Sequence, residues 1–381
     1  MWWCQMKGFA VLQVDSRCAA RRGVLQTAHG PVQTPAFMPI GTAGAVKGIL
    51  PDQLKILGSE MILANTYHLV IRPGVDVVEK VGGLHRFMAW DGPILTDSGG
   101  YQVFSLGSLT RIDDYGVEFA SHVDGRRIYL DAETSTQVQN RLGADVIMCL
   151  DQCTPFPSQT AELETAVHRT IRWAARCKQA HRNPDQMLFA IVQGGTDLTL
   201  RTACATALQD SGFDGYAIGG LSVGEGHDLM IHTVAHTAPQ LPPDRPRYLM
   251  GVGMPADILA AVRLGVDMFD CVLPTRNGRN AYAFTTHGSL RLRNSIHTED
   301  ANPVEPDCDC YTCRHYSRAA IRHFFNCGEM LGPILLSMHN IRFYQILMAQ
   351  IRSAIERGIF ADWADEQQQR LQWPQDETVI G

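Results

Sequence analysis

The 381-residue sequence predicts an α/β fold, a closed (β/α)8 TIM barrel, from three observations. Short apolar runs recur along the chain, and each stops at a polar residue or a glycine. Helix-like segments separate these runs. No heptad run, low-complexity tract or long linker divides the chain into independent parts. Short, fully apolar strands alternating with helices describe a parallel sheet covered on both faces. An open doubly wound sheet also fits that alternation, but seven or eight such units with polar ends favour closure. In either architecture function collects at the carboxyl ends of the strands.

The elements follow in chain order. Around FAVLQVD and GVLQT the residues alternate, with a turn at His29-Gly30-Pro31, so residues 1–35 are expected to form a small antiparallel sheet capping one end of the barrel. The barrel is assigned to 36–290. Its strands end at Asn65 (MILAN), Asp97 (PILTD) and Asp151 (VIMCLD), and FAIVQGG passes Gln193. Further ends are Gly219 and Gly220 (YAIGG), Gly251 (YLMGVG) and Asp270 (MFD). Helices are expected over 158–181, 197–211 and 255–264. A cysteine-rich segment at 291–340 and a helix with a tail at 341–381 complete the chain.

Composition narrows the function classes. A hydrophobic content of 45% is ample for a large core, and no run of eighteen apolar residues marks a membrane span. The start, MWWCQMKGF, lacks the plan of a signal peptide, so a soluble cytoplasmic protein is expected. Eleven cysteines, an odd number without an export signal, favour free thiols plus a metal site over a disulfide framework. The net charge of -6 weighs against a uniformly basic nucleic-acid binder. Locally the balance reverses: from Arg276 to Arg322 seven arginines face five acids. Arginine is the side chain suited to bidentate phosphate contacts.

Within that segment Cys308, Cys310 and Cys313 place three thiols in six residues. Such spacing offers three soft ligands to one tetrahedral ion, most commonly zinc. The fourth ligand is open among His315, His323 and His339, the last of which begins the helical stretch HNIRFYQILMAQI. A site closed by four protein ligands holds structure and does no chemistry.

The acids carry the chemistry. Asp97 stands in ILTDSGGYQVFS, where a strand breaks into glycines that let a ligand approach the backbone, and Tyr101 adds an aromatic face. Asp270 ends another strand just before the arginines. A strand-end aspartate serves as often as a helix cap. Two on one barrel rim, however, can converge as nucleophile and general acid/base, the minimum equipment for glycosidic chemistry. Spacing does not say which of the two attacks. Asp151 and Gln193 offer complementary acceptor and donor groups for the edge of a flat purine-like ring, and the backbone at Gly219, Gly220 and Leu221 adds contacts.

Taken together, TDSGGYQ, DQCTPFP, IVQGG, IGGLSVGEG, MGVG, MFDCVLPTRNGRN, CDCYTC and MHNIRFYQ resemble, in this order, the bacterial-type tRNA-guanine transglycosylases. The resemblance runs from about Phe9 to Gly358. It implies a (β/α)8 barrel with a zinc-binding subdomain inserted near the last helix, and a homodimer. It implies exchange of the wobble guanine of GUN anticodons for preQ1, a step of queuosine biosynthesis, through a covalent tRNA–enzyme intermediate. By the same resemblance Asp270 is the nucleophile and Asp97 the proton acceptor. Asp151, Gln193, Gly220, Leu221, Tyr101 and Met250 bind the base, and Arg276 and Arg279 bind tRNA. Cys308, Cys310, Cys313 and His339 are the zinc ligands. Cys153 and Val223 are similar to the bacterial, preQ1-using pattern. Two departures are Gln152, where relatives often carry glutamate, and Met254, where some carry a basic residue.

Overall fold

The computed structural model describes residues 7–105, 110–121 and 123–370. Residues 1–6 and 371–381, the outer parts of the segments assigned above to 1–35 and 341–381, lie outside the described residues. Three strands open the chain: β1 (Gly8–Val14), β2 (Arg21–Thr27) and β3 (Gly30–Thr34), paired antiparallel in that order. The barrel strands then begin with β4 (Ala36–Pro39), β5 (Ile62–Ala64) and β6 (Ile94–Thr96). An antiparallel excursion, β7 (Thr110–Ile112), β8 (Gly116–Ala120) and β9 (Arg127–Asp131), interrupts the barrel. It resumes with β10 (Val146–Met148), β11 (Met187–Val192), β12 (Gly215–Ile218), β13 (Arg247–Leu249) and β14 (Met268–Cys271). A hairpin of β15 (Tyr282–Thr285) and β16 (Gly288–Arg291) follows.

Eight strands form one parallel sheet in the order β4-β14-β13-β12-β11-β10-β6-β5. A parallel bridge between Ile40 and Leu63 joins its two ends, so the sheet closes on itself. Every barrel strand is followed by helical chain, which gives the (β/α)8 barrel its outer layer. The helices form where apolar residues recur every three or four positions. Leu163, Ala166, Val167, Thr170, Trp173, Ala174 and Cys177 make the buried stripe of Thr160–Ala180. Glu162 accepts from the Gln159 amide at 3.3 Å to start that helix. Asp197 caps Leu198–Ser211 through the amides of Thr199 and Leu200.

Inward-facing residues of the barrel strands, among them Met38, Leu63, Leu95, Met148, Phe189 and Met268, make one core together with Leu25 and Val32 of the first sheet. The first sheet therefore stoppers the barrel's amino-terminal end. His29 in its turn reaches Asp145, the residue before β10, at 2.9 Å. The carboxyl ends of the strands stay open for a ligand. Beyond β14 the chain forms a helix, Leu273–Arg279, then the β15–β16 hairpin and two short helices. The long helix Leu331–Glu356 supplies the barrel's last helical layer. Ala281, Ala283, Leu292, Val304, Ile321, Phe325, Leu335 and Leu336 share a separate small core, so this inserted subdomain packs around its own centre beside the last helix.

Candidate active site

A cavity of about 320 Å³ opens at the carboxyl ends of the barrel strands. It is lined by Asp97, Tyr101, Asp151, Gln193, Gly220, Leu221, Met250 and Asp270, which brings together all eight residues expected from the sequence to carry catalysis or base binding. They come from the ends of β6, β10, β11, β12, β13 and β14, the usual way a barrel assembles a site from separate strands.

The two candidate catalytic aspartates differ in their surroundings. Asp97 has both oxygens engaged: Oδ1 accepts from the Thr66 amide at 2.8 Å, and Oδ2 from Asn65 Nδ2 at 2.5 Å and Gln102 Nε2 at 2.8 Å. Burial pushes its carboxyl up to about 6, these donors pull it down, and the nearby charge of Asp270 raises it. Asp270 is engaged on one side only. Oδ1 accepts from the Tyr248 hydroxyl and from the Gly251 amide at 2.8 Å. Among the described residues nothing donates to its Oδ2. Burial raises the Asp270 carboxyl as well, against the pull of Tyr248 and Gly251.

The polar slot is built around Asp151, which is buried and pushed up to about 6 by that burial. Its Oδ2 accepts from Gln193 Nε2 at 2.7 Å and its Oδ1 from Ser98 Oγ at 3.2 Å. Gly220 sits at φ +66°, and a Cβ there would lie 2.2 Å from Gln193 Oε1. Glycine is thus required both by the backbone and by the amide beside it. The next turn is held by Glu225, which accepts from the amides of Ser222 and, at 2.9 Å, Val223. In a trans peptide the carbonyl points opposite to the N–H. With the Ser222 N–H turned to Glu225, the Leu221 carbonyl points away from that carboxylate. Tyr101 is half exposed at the rim.

Asn65, His68, Gln102 and Tyr248 also line the cavity and were not singled out as functional from the sequence. Asn65 reads in the sequence as a strand end, and Gln102 stands inside the run ILTDSGGYQVFS without a role of its own. Tyr248 lies within the buried strand β13, where no alternation of polarity marks an inward residue. Gln152, by contrast, does not line the cavity: its Oε1 accepts from Arg169 Nη1 at 3.2 Å, outside the base slot.

Arg276 and Arg279 lie on Leu273–Arg279, the helix that starts directly after the strand bearing Asp270. Arg276 is exposed. Arg279 is partly buried with its Nη1 unpartnered, and burial and the Arg276 charge lower its affinity for a proton. No carboxylate pairs with either among the described residues.

Away from the cavity, Cys308, Cys310, Cys313 and His339 bring four ligand atoms within 4.8 Å of one another. His339 Nδ1 lies 3.2 Å from Cys313 Sγ and 3.8 Å from Cys310 Sγ. A tetrahedral ion with three thiolates and one imidazole has edges of about 3.6–3.8 Å, so the cluster fits one. His339 Nε2 meets the Phe284 carbonyl at 2.8 Å, which puts the ring proton there and leaves Nδ1 free as a ligand. His315 and His323 are not in the cluster.

A family model described as queuine tRNA-ribosyltransferase matches residues 15–372. The chain is 55% identical over 345 residues to a queuine tRNA-ribosyltransferase of Nitrosomonas eutropha, covering 91% of this chain and 96% of that protein. It is 51% identical over 355 residues to one of Thiobacillus denitrificans, covering 93% and 96%. It is 50% identical over 357 residues to one of Pseudomonas aeruginosa, covering 94% and 95%. No helix among the described residues is long and apolar enough to cross a membrane. A barrel whose open end gathers paired aspartates and a polar slot, matched in sequence along almost its whole length, places this chain in the queuine tRNA-ribosyltransferase family, and it is accordingly a pentosyltransferase.

Proposed function

We propose that this chain replaces the wobble guanine of tRNAs with GUN anticodons by preQ1, through a covalent bond between Asp270 and the ribose. The observation that carries this reading is the unequal hydrogen bonding of the two aspartates. Asp97 is held by donors on both oxygens, with acceptor capacity left on Oδ1, whereas Asp270 has Oδ1 fixed and, among the described residues, no donor on Oδ2. A free, oriented carboxylate oxygen is the attacking group, and the carboxyl beside it, anchored by its donors and raised to about 6, is the proton carrier.

Chemistry then runs in two displacements. Asp270 Oδ2 bonds to C1′ of the ribose while the bond from C1′ to guanine breaks. The electron pair leaves with guanine, and Asp97, raised to about 6, supplies the proton. The incoming base attacks C1′, its proton returns to Asp97, and the pair returns to Asp270. Two inversions retain configuration at C1′. The target base has to leave the anticodon stack, which costs least in an unpaired loop.

Base selection follows from the slot. Asp151 accepts from ring and amino N–H groups, and the Gln193 amide with the Gly220 backbone meets the carbonyl edge. Tyr101 and Met250 border the flat faces of the ring. The Leu221 carbonyl, turned away from Glu225, is an acceptor for the ammonium of preQ1's aminomethyl group. Val223 lines the same cavity and crowds a bulkier substituent. Arg276 and Arg279 contact the anticodon-loop phosphates, and the cysteine cluster with His339 holds one structural zinc. We further propose a homodimer acting in the cytoplasm, where its tRNA substrate is found.

The test is incubation with radiolabelled guanine and a tRNA whose anticodon begins with G, with or without unlabelled preQ1 or queuine. Label is expected to enter the tRNA and to be suppressed by preQ1 but not by queuine. Suppression by queuine would overturn the base assignment. No incorporation by the zinc-loaded protein would overturn the exchange itself.

A further inference from the structure

Tyr248 is fully buried on β13, next to β14 in the sheet, and lines the cavity. Its hydroxyl donates to Asp270 Oδ1, the same oxygen that the Gly251 amide reaches at 2.8 Å. Two donors on one oxygen leave the carboxylate one orientation, with Oδ2 free among the described residues. We propose that Tyr248 is a positioning residue for the nucleophile, fixing Oδ1 of Asp270 so that Oδ2 attacks the ribose and the carboxylate later departs from it. This rests on the reading of Asp270 as the attacking residue.

The hydroxyl acts as a donor and not as a rival nucleophile. Burial, with the negative charges of Asp270 and Asp97 nearby, holds its proton on. Its effect differs between the states of the reaction. While Asp270 is a carboxylate, the hydrogen bond is charge-assisted; once Oδ2 is bonded to C1′, Oδ1 is the carbonyl oxygen of a neutral ester and the bond weakens. Tyr248 therefore stabilises the free enzyme at the start and end of each exchange relative to the covalent intermediate. In the second displacement the pair returning to Oδ2 restores charge that Tyr248 and the Gly251 amide are already placed to receive, as preorganised donors do for developing anions. The covalent tRNA–enzyme species is thereby kept from becoming a resting state.

The proposal is tested on the full-length, zinc-loaded protein as wild type and Tyr248→Phe. The readouts are kcat and KM for guanine exchange from pH 5 to 9, and the yield of tRNA–enzyme adduct on a denaturing gel. Other titratable groups lining the cavity are His68, Asp97, Tyr101, Asp151, Cys153 and Cys271, all retained in the variant. Losing one donor to the carboxylate is expected to move the acid limb of kcat/KM up by roughly one pH unit. The value of kcat falls about tenfold, the scale of one lost hydrogen bond to a charged group. Adduct yield rises, while KM for guanine holds. An unmoved acid limb with unchanged adduct yield overturns the proposal, as does a parallel loss of adduct, kcat and guanine affinity. Absence of any adduct from wild type, or wild-type exchange by Asp270→Asn, instead overturns the reading beneath it. Should Tyr248→Phe fail to fold, 3-fluorotyrosine at position 248 keeps the shape and strengthens the donor. The acid limb then moves down, and a limb that stays in place overturns the proposal.

Discussion

As the proposed nucleophile Asp270 has to be ionised to attack, yet burial holds its carboxyl above the usual range. Activity is therefore expected to fall on the acid side at a pH above that of an ordinary aspartate, measured as kcat/KM for guanine exchange. Unfolding is not the cause of that limb. A carboxyl whose folded pKa is raised contributes most to stability below its unfolded pKa, and the contribution is lost as pH rises through the folded value. Asp97 and Asp151, both raised to about 6, thus favour the folded protein at pH 5 relative to pH 7. A melting temperature that drops together with activity between pH 7 and 5 would contradict this. Gly220 gives a second prediction. Its φ of +66° and the 2.2 Å approach to Gln193 leave no room for a methyl group. Gly220→Ala is expected to raise KM for guanine about tenfold, because the added methyl displaces the Gln193 amide from the base slot, while the left-handed backbone adds about 1–2 kcal/mol of strain that lowers stability instead. Metal content should be unchanged, and an unaltered KM would remove Gly220 from base recognition.

The element that joins chemistry to scaffold is the segment between β14 and Leu331–Glu356. His339 sits on that long helix, and its ring reaches both the thiol cluster and the carbonyl of Phe284 on β15. An ion held there pins hairpin, cysteine turn and helix together. Cys310→Ala is expected to lose the metal and to melt several degrees lower, because ion binding and folding of such a subdomain are coupled. Normal metal content in that variant would contradict the ligand assignment. Much of this was legible in sequence. Seven of the eight barrel strands announced themselves as apolar runs ending at Asn65, Asp97, Asp151, Gln193, Gly219, Gly251 and Asp270. The eighth, Ala36–Pro39, ends in proline and so carried no such signal. The excursion β7–β9 was also silent, because its small sheet is only partly buried and lacks a continuous apolar run. Tyr248 escaped because a strand buried on both faces shows no alternation, so its polar tip read as core. Spacing alone leaves His315, His323 and His339 open; the resemblance selects His339, and the packing of its helix brings that ring, and neither of the other two, to the thiols.

At the scale of the whole molecule, a protein of net charge -6 has to hold a polyanion. The sum is misleading because the acids and the arginines are spent differently. Several arginines elsewhere are paired, as Arg17 is with Asp362, Arg141 with Asp76 and Glu79, and the partly buried Arg342 with Asp309. Arg276 and Arg279 are not paired with any carboxylate among the described residues, and they stand on the helix that begins where Asp270 ends its strand. Placing two unneutralised cations three residues apart is unfavourable for the free protein, and part of the cost appears in the lowered proton affinity of Arg279. A phosphate bound there, as we propose, would relieve that repulsion and improve tRNA affinity and the site's own electrostatics together. Replacing either arginine with alanine is expected to weaken tRNA binding and to reduce the slope of log K against log salt by about 0.7, the loss of one single-stranded phosphate contact. The KM for free guanine should not move, because neither side chain lines the base cavity. A variant that keeps the salt slope but loses guanine affinity would assign these arginines to the slot instead of to the RNA backbone. One that loses both would mark them as supports of the strand end that carries Asp270.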